Sequence, residues 1–425
     1  MENPRILHLG KFYPPAAGGI ETHVRTLAQA QAALGMDVRV FCMNHEGGPT
    51  VVDADGPIEV TRFARAASVA KLDLCRDLVG ALRKVNADIL HLQVPNPSMI
   101  VALLQARPGQ PMVVTYQSDV IKQRLRATLF RPLERLAYRR AAAILPTSPT
   151  YVPGSRFLRR YGKRIEVVPM GIDLQPYREP SEGDRAEAEA IRRRYAGPLW
   201  LGCGRLIYYK GFLNAIRALR QVPGTLLIVG DGPDRAELEA EADRLRVRDR
   251  VAFLGSMPYQ KVVPYYLAAE AFWFPSNARS EAFGIVQVEA MASGCPVINT
   301  SIPDSGVAWV SPHDVSGLTV PMDDPDALAA AANRLIREPG LRDRLAAAAR
   351  RRAVEEFDHR VMAQRSLEVY RRVLGGPTAA TASDARRAGV GEAGRMLDWP
   401  PGVATSEGVQ KLRAWAGDGH HRFGM

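Results

Sequence analysis

Four cysteines are few for 425 residues, and Cys42, Cys75, Cys203 and Cys295 lie far apart with no CxxC pair. That scarcity excludes a disulfide framework and a zinc cluster of ordinary spacing, and it suits a reducing compartment. No apolar run approaches the roughly 18 residues of a membrane-spanning helix, and the opening MENPRILHLG lacks the charged start and long apolar core of a secretory signal. The eight histidines show no HExxH or comparable spacing, so neither a metal nor another cofactor is expected. Glycine and proline, 36 and 31 residues, are too sparse for collagen or wholesale disorder. The chain therefore reads as a cytoplasmic globular protein with material for two or three domains.

What the chain does contain is alternation. Short β-branched runs (RILHLG, VRVFCM, DILHLQ, MVVTYQ, AILPTS, EVVPMG) are separated by segments of helical period, and after a polar stretch at 174–197 the pattern restarts with PLWLGCGRL, GTLLIVG, VAFLGS, AFWFPS, CPVINT and GLTVP. Strand and helix in turn imply parallel sheets. The expected division is a first doubly wound α/β domain over 1–180, a second over 196–358, a helix at 359–375 crossing back onto the first, and a disordered tail at 376–425. The net charge of +11 is unevenly placed, +9 within residues 1–196 and +1 within 197–375, which points the first half towards an acidic partner.

In open parallel sheets ligands sit beyond the carboxyl ends of strands, so the loops there are the places to search. KFYPPAAGGIETHV puts Gly18 and Gly19 before a helix, where amides can approach an anion; a structural turn explains the pair as well. GRLIYYKGF puts Arg205 and Lys210 at a strand-to-helix junction, a fork and a point charge suited to a diphosphate. SEAFGIVQVEAMASGCPVI carries Glu281 in a loop and Glu289 two helical turns on, with FG at a helix start and SGCP at its stop. Glu289 interrupts an apolar run, where a carboxylate without a partner is costly, so it is expected to face a ligand.

These motifs together, Glu281-x7-Glu289 preceded by FPS, with GRLIYYKG, IVGDGP, FLGS, VPMGID and PPAAGGIETHV, resemble the retaining glycosyltransferases of family 4 over roughly residues 4–375. The resemblance implies the GT-B fold, two Rossmann-like domains facing a central cleft. It implies a nucleotide diphosphate sugar as donor, with Arg205 and Lys210 on the diphosphate, Glu289 on the ribose and Glu281 on the sugar. Amides around Ala282, Phe283, Gly284 and Ile285 would hold the sugar, backbone near Ser256 and Met257 would meet the base, and Gly18 and Gly19 would close over the donor. GDGP is assigned to turn structure. Where many relatives have a histidine near the donor sugar this chain has Gln117, which hydrogen-bonds but carries no charge near pH 7. The adjoining SDVIKQ resembles bacterial transferases that use GDP-sugars to build surface polysaccharide, making a GDP-hexose such as mannose the expected donor and a lipid-linked saccharide the expected acceptor. A UDP-sugar enzyme with a small acceptor, an epimerase or phosphorylase on the same architecture, and a non-catalytic GT-B binding protein are the alternatives.

The following segment, VIKQRLRATLFRPLERLAYRRAAAIL, repeats Ile121, Leu125, Leu129, Leu133 and Ala137 every four residues. Seven cations, Lys122, Arg124, Arg131 and Arg135 among them, stand against one acid. It is expected either to lie on an anionic membrane or to pack its apolar row into the core, with Pro132 splitting it. Few aromatics interleave these cations, so nucleic acid is not expected. Asp53–Ala54–Asp55 is read as a turn before GPIEV, not as a metal-binding DxD.

Overall fold

The computed structural model describes residues 3–16, 18–69, 72–117, 124–195 and 197–375, without the side chains of 68, 69, 72 and 124–129. The expectations for Lys122 and for the tail after residue 375 lie outside these residues. The first sheet is built from β1 (Arg5–Leu9), β2 (Asp37–Met43), β3 (Val51–Asp55), β4 (Ile58–Phe63), β7 (Ile89–Val94), β8 (Met112–Tyr116) and β9 (Ala141–Pro146), in the order β3-β4-β2-β1-β7-β8-β9. A separate small hairpin pairs β5 (Ala67–Val69) with β6 (Leu72–Leu74). The second sheet runs β12 (Val251–Gly255), β11 (Thr225–Val229), β10 (Leu199–Cys203), β13 (Ala271–Phe274), β14 (Val297–Thr300) and β15 (Gly317–Val320). All pairings in the two sheets are parallel except β3 with β4. In each sheet the strand order reverses beside the first strand, at β1/β7 and at β10/β13, and a crevice opens at the carboxyl ends there. This is the GT-B arrangement of two parallel-sheet α/β domains.

Each sheet is covered on both faces by helices, which is why its central strands read as continuous apolar runs. In the second domain Leu201, Leu227 and Phe272 face one apolar cluster, and Trp200, Leu226, Trp273 and Ile298 face the other. The polar stretch at 174–197 holds a helix at Glu182–Arg194 that packs onto the second domain. Ser181 and Asp184 close a reciprocal cap at its start, and Ala188 and Ile191 are its buried face.

EVVPMG is not a strand; Ile165 makes one bridge to Ile144, and Glu166 and Val168 then donate to the carbonyls of Ile144 and Pro146 along the sheet edge. Asp53 and Asp55 lie in β3 rather than in a turn, each held by an arginine, Arg62 on Asp53 at 2.6 Å and Arg25 on Asp55 at 2.8 Å. Pro132 does not split the basic helix, which runs unbroken over Arg124–Arg139. Pro132 is exposed, so the carbonyl its missing N–H leaves without a donor falls on an outward arc. The every-fourth row fails as a core face, since Leu133 is 39% exposed while Ala137 is buried. Steps of four overshoot a 3.6-residue turn, so such a row winds around the helix.

The helix His359–Val373 packs against the helix Gly19–Ala33 and the first sheet, with Met362, Ala363, Leu367, Val369 and Tyr370 in the first domain's core. Asp358 caps it by accepting from the Arg360 amide at 2.8 Å. Its docking face is polar at the centre. Gln31 donates to Ser366 and to Tyr370, each at 2.8 Å, and Tyr370 meets His91 Nδ1 at 2.6 Å. His91 Nε2 reaches Thr115 at 2.7 Å, and His8 Nε2 donates to Gln31 Oε1 at 2.7 Å. Tyr370 accepts from Gln31 and shares one proton with Nδ1 of a neutral His91.

Burial pushes His8 and His23 down to about 4, and His91 well below its ordinary value. Unfolded histidines take up protons near pH 6.5 and these three do not until far lower, so the unfolded state binds more protons across that window. The stabilisation is therefore complete above about pH 6.5 and drains away towards pH 4. Urea unfolding at several pH values should show this fall, and His8→Gln together with His23→Gln should make it shallower; equal slopes would assign the acid sensitivity to other groups.

Candidate donor site

The loops leaving β10 and β13 meet at the crevice of the second domain. After Cys203 the chain turns through Gly204 and Arg205, and a short 3-10 turn at Tyr208–Lys210 brings Lys210 back towards Gly204. After β13, residues 275–284 lead into the helix Ile285–Ser293. Gly284 caps that helix at φ 79°, and a Cβ there would stand 2.6 Å from the Phe274 ring, so both conformation and space demand glycine. Gly294 closes the helix in the left-handed region, and the amides of Gly294 and Cys295 return to the carbonyls of Met291 and Ala290.

Lys210 Nζ lies 2.5 Å from Glu281 Oε2, with the two side chains 14% and 12% exposed. The ammonium also sits 5.2 Å from the centre of the Phe274 ring. Burial works to lower the Lys210 pKa, but Glu281 prevails and leaves it raised, so the lysine is firmly cationic. Arg205 is exposed beside this pair.

Next to it opens a cavity of about 470 Å³, walled by Cys203 at the end of β10 with Gly204 and Arg205 after it, Gly230 and Asp231 after β11, Ser256, Met257 and Tyr259 after β12, and Val286 and Glu289 from the Ile285–Ser293 helix. Glu289 accepts a hydrogen bond from the Tyr266 hydroxyl at 2.9 Å. Burial raises its carboxyl to about 7, while the Tyr266 and Tyr177 hydroxyls pull the other way. Burial likewise pushes the Cys203 thiol up to about 12, so it stays protonated and is no nucleophile.

The structure thus brings Arg205, Met257 and Glu289 to one cavity and pairs Lys210 with Glu281 at its side. Ala282 and Phe283 turn their side chains into cores, Phe283 against Phe357 and Trp309, which leaves only their backbone for a ligand. Ile285 opens the helix. Gly18, Gly19 and Gln117 do not line the cavity. Gln117 is buried at the end of β8, its amide 3.4 Å from Gln93 Oε1, and Gly18 lies against Glu21.

Sequence reasoning missed Tyr266, the partner that makes the Glu289 position tolerable; its only signal was a tyrosine within an apolar helix. GDGP, read mainly as turn structure, also supplies Gly230 and Asp231 to the cavity wall. Among the described residues no three His, Cys, Asp or Glu side chains gather as metal ligands, and no helix is long and apolar enough to cross a membrane.

The family model of the glycosyl transferases group 1 matches residues 187–352, and that of a glycosyl transferase 4-like domain matches 18–171. The chain is 32% identical over 338 residues to D-rhamnosyltransferase WbpZ of Pseudomonas aeruginosa, covering 79% of this chain and 87% of that one. It is 30% identical over 366 residues to the O-antigen chain mannosyltransferase C of Escherichia coli, covering 84% and 96%. Among solved structures it superposes on sucrose-phosphate synthase of Thermosynechococcus elongatus with TM-score 0.72 at 24% identity, over 88% of this chain and all of the other. On Anabaena HepE in complex with UDP-glucose the TM-score is 0.66 at 22% identity, over 90% of this chain and all of the other.

A carboxyl raised on folding stabilises while protonated, and that contribution, complete below about pH 4.5, is lost as pH rises through 7. The unfolding free energy of Glu289→Gln minus that of the native protein should therefore grow from pH 4.5 to about 7.5 and then level. A flat difference would mean that the carboxyl titrates normally.

Proposed function

The chain belongs to the glycosyl transferases group 1 and is a nucleotide-sugar-dependent hexosyltransferase, and we propose that its donor is a GDP-hexose, mannose or a related sugar, passed with retention to a lipid-linked saccharide of surface-polysaccharide assembly. The observation that carries the reading is the pairing of Lys210 with Glu281 beside a cavity walled by Arg205, Met257 and Glu289. The donor diphosphate lies against Arg205 and Lys210, whose charge stabilises the departing nucleotide, so the reaction runs without a metal. Glu289 takes the ribose hydroxyls and backbone at Met257 meets the base. Glu281 and the amides of Ala282, Phe283, Gly284 and Ile285 hold the sugar. Gly18, Gly19 and Gln117 approach from the first domain. The choice of sugar rests on the named relatives, a rhamnosyl- and a mannosyltransferase.

Arg205→Ala and Lys210→Ala should each lower kcat by about 10²-fold or more, the scale of losing one preorganised charge donor. Lys210→Ala should also cost stability, because it strands the Glu281 carboxylate. Wild-type rates at saturating donor would remove both from the site. In thermal-shift titrations GDP should stabilise more than UDP at equal concentration; the reverse would replace the base and leave the family untouched.

The acceptor half is proposed to rest on the inner face of an anionic membrane. Arg131 and Arg139 are exposed on the basic helix, Arg135 is half-buried, and Leu136, 50% exposed, projects among them. Arg135, Arg139 and Arg160 all act electrostatically on Tyr161, so the exposed Arg159, Arg160 and Lys163 extend the same patch. Roughly 1 kcal/mol per cation near such a surface suffices for reversible binding. The protein should co-sediment with anionic and not neutral liposomes at low salt. A variant with Glu at Arg124, Arg131 and Arg135 should not, and binding indifferent to lipid charge would return these cations to a solvated face.

A further inference from the structure

The loop that carries Glu281 is gripped from both domains. On its own side it meets Lys210. On the other, Thr150, just after β9 of the first domain, donates its hydroxyl to the Ser305 carbonyl at 2.8 Å, and Ser305 Oγ donates to the Glu281 carbonyl at 2.5 Å. The Gly306 amide donates to the Ala282 carbonyl at 2.9 Å, and a Cβ on Gly306 would stand 2.6 Å from Ser148 Oγ, so the two domains touch there with room only for glycine. Two residues before Glu281, the Arg279 guanidinium lies 4.4 Å over the Tyr151 ring and donates to the carbonyl of Asp304 at 3.0 Å. Ala282 itself is buried in the first domain's apolar cluster.

From this chain of contacts we infer that Thr150 and Arg279 are positioning residues, through which the first domain sets the place of the Glu281 carboxylate opposite Lys210. The inference rests on the donor-site reading above. The residues that bind nucleotide in that reading, Arg205, Lys210, Met257 and Glu289, belong wholly to the second domain. Nucleotide can thus bind without the clamp, whereas Glu281 takes up its working place only when the first domain holds the loop. The clamp makes bond cleavage conditional on the half that carries the acceptor. Geometry of this kind acts on the chemical step, because misplacement of a reacting group by about 1 Å can cost on the order of 10²-fold in rate.

The test uses Thr150→Val, which keeps shape and removes the hydroxyl, Thr150→Ser, which restores it, and Arg279→Ala. Hydrogen exchange of the substrate-free protein should show faster exchange in residues 278–285 for Thr150→Val and Arg279→Ala and wild-type exchange for Thr150→Ser. Steady-state assays should show kcat down about tenfold or more in the first two, a much smaller change in donor KM, and recovery in Thr150→Ser. Wild-type exchange and kcat in Thr150→Val would overturn the clamp, as would a loss that falls on donor KM alone. The exchange measurement needs no substrate. If the native protein bound none of the nucleotides, the donor-site reading would fail while the clamp was still decided.

Discussion

A buried ion pair is costly to form and costlier to break, and Lys210 with Glu281 sets the terms for everything around the crevice. The pair joins the loops that leave β10 and β13, the two strands flanking the point where the second sheet reverses its order. Each loop must therefore end where the other needs it. Gly284 takes a left-handed conformation under the Phe274 ring so that the loop can enter its helix at once, and Lys210 folds back over Gly204. Without a donor the lysine charge is neutralised by the carboxylate. The lysine is thus a cation whose place is set by the pair before any ligand arrives.

The second polar centre, around Gln31, His91 and Tyr370, does comparable work where the crossing helix docks on the first domain. There the crossing helix is specified by hydrogen bonds that each satisfy a buried group, where apolar contact alone would tolerate a slipped register. The segments linking the domains run side by side, with Ile172 and Asp358 bridged and the Ile172 amide donating to the Phe357 carbonyl at 3.0 Å. With the contacts of Thr150 and Arg279, the domains are tied at two separate places.

Much of this was legible in the linear text because parallel strands buried on both faces are written as unbroken apolar runs. RILHLG, GTLLIVG, AFWFPS and CPVINT could hardly be anything else, and SGCP marked a helix end because only glycine sits easily at the left-handed position of Gly294. The strand β3 was not legible, since its residues are exposed and held in place by Arg62 and Arg25 from distant positions. Residues 182–194 read as linker because a helix with two buried side chains looks almost uniformly polar. The four-residue row through Leu133 misled because spacing alone does not say which way a helix faces.

By itself, then, the sequence determined the fold class and the family, since these follow from local periodicity and from motifs contiguous in the chain. The tertiary structure alone decided which groups meet. Tyr266 partners Glu289 across 23 residues, Lys210 finds Glu281 across 71, and Thr150 reaches Ser305 across 155. The protonation of Glu289, the acid sensitivity of the three histidines and the grip on the Glu281 loop all depend on which groups surround a side chain. No local pattern encodes those surroundings, because they are assembled from segments that only folding brings together.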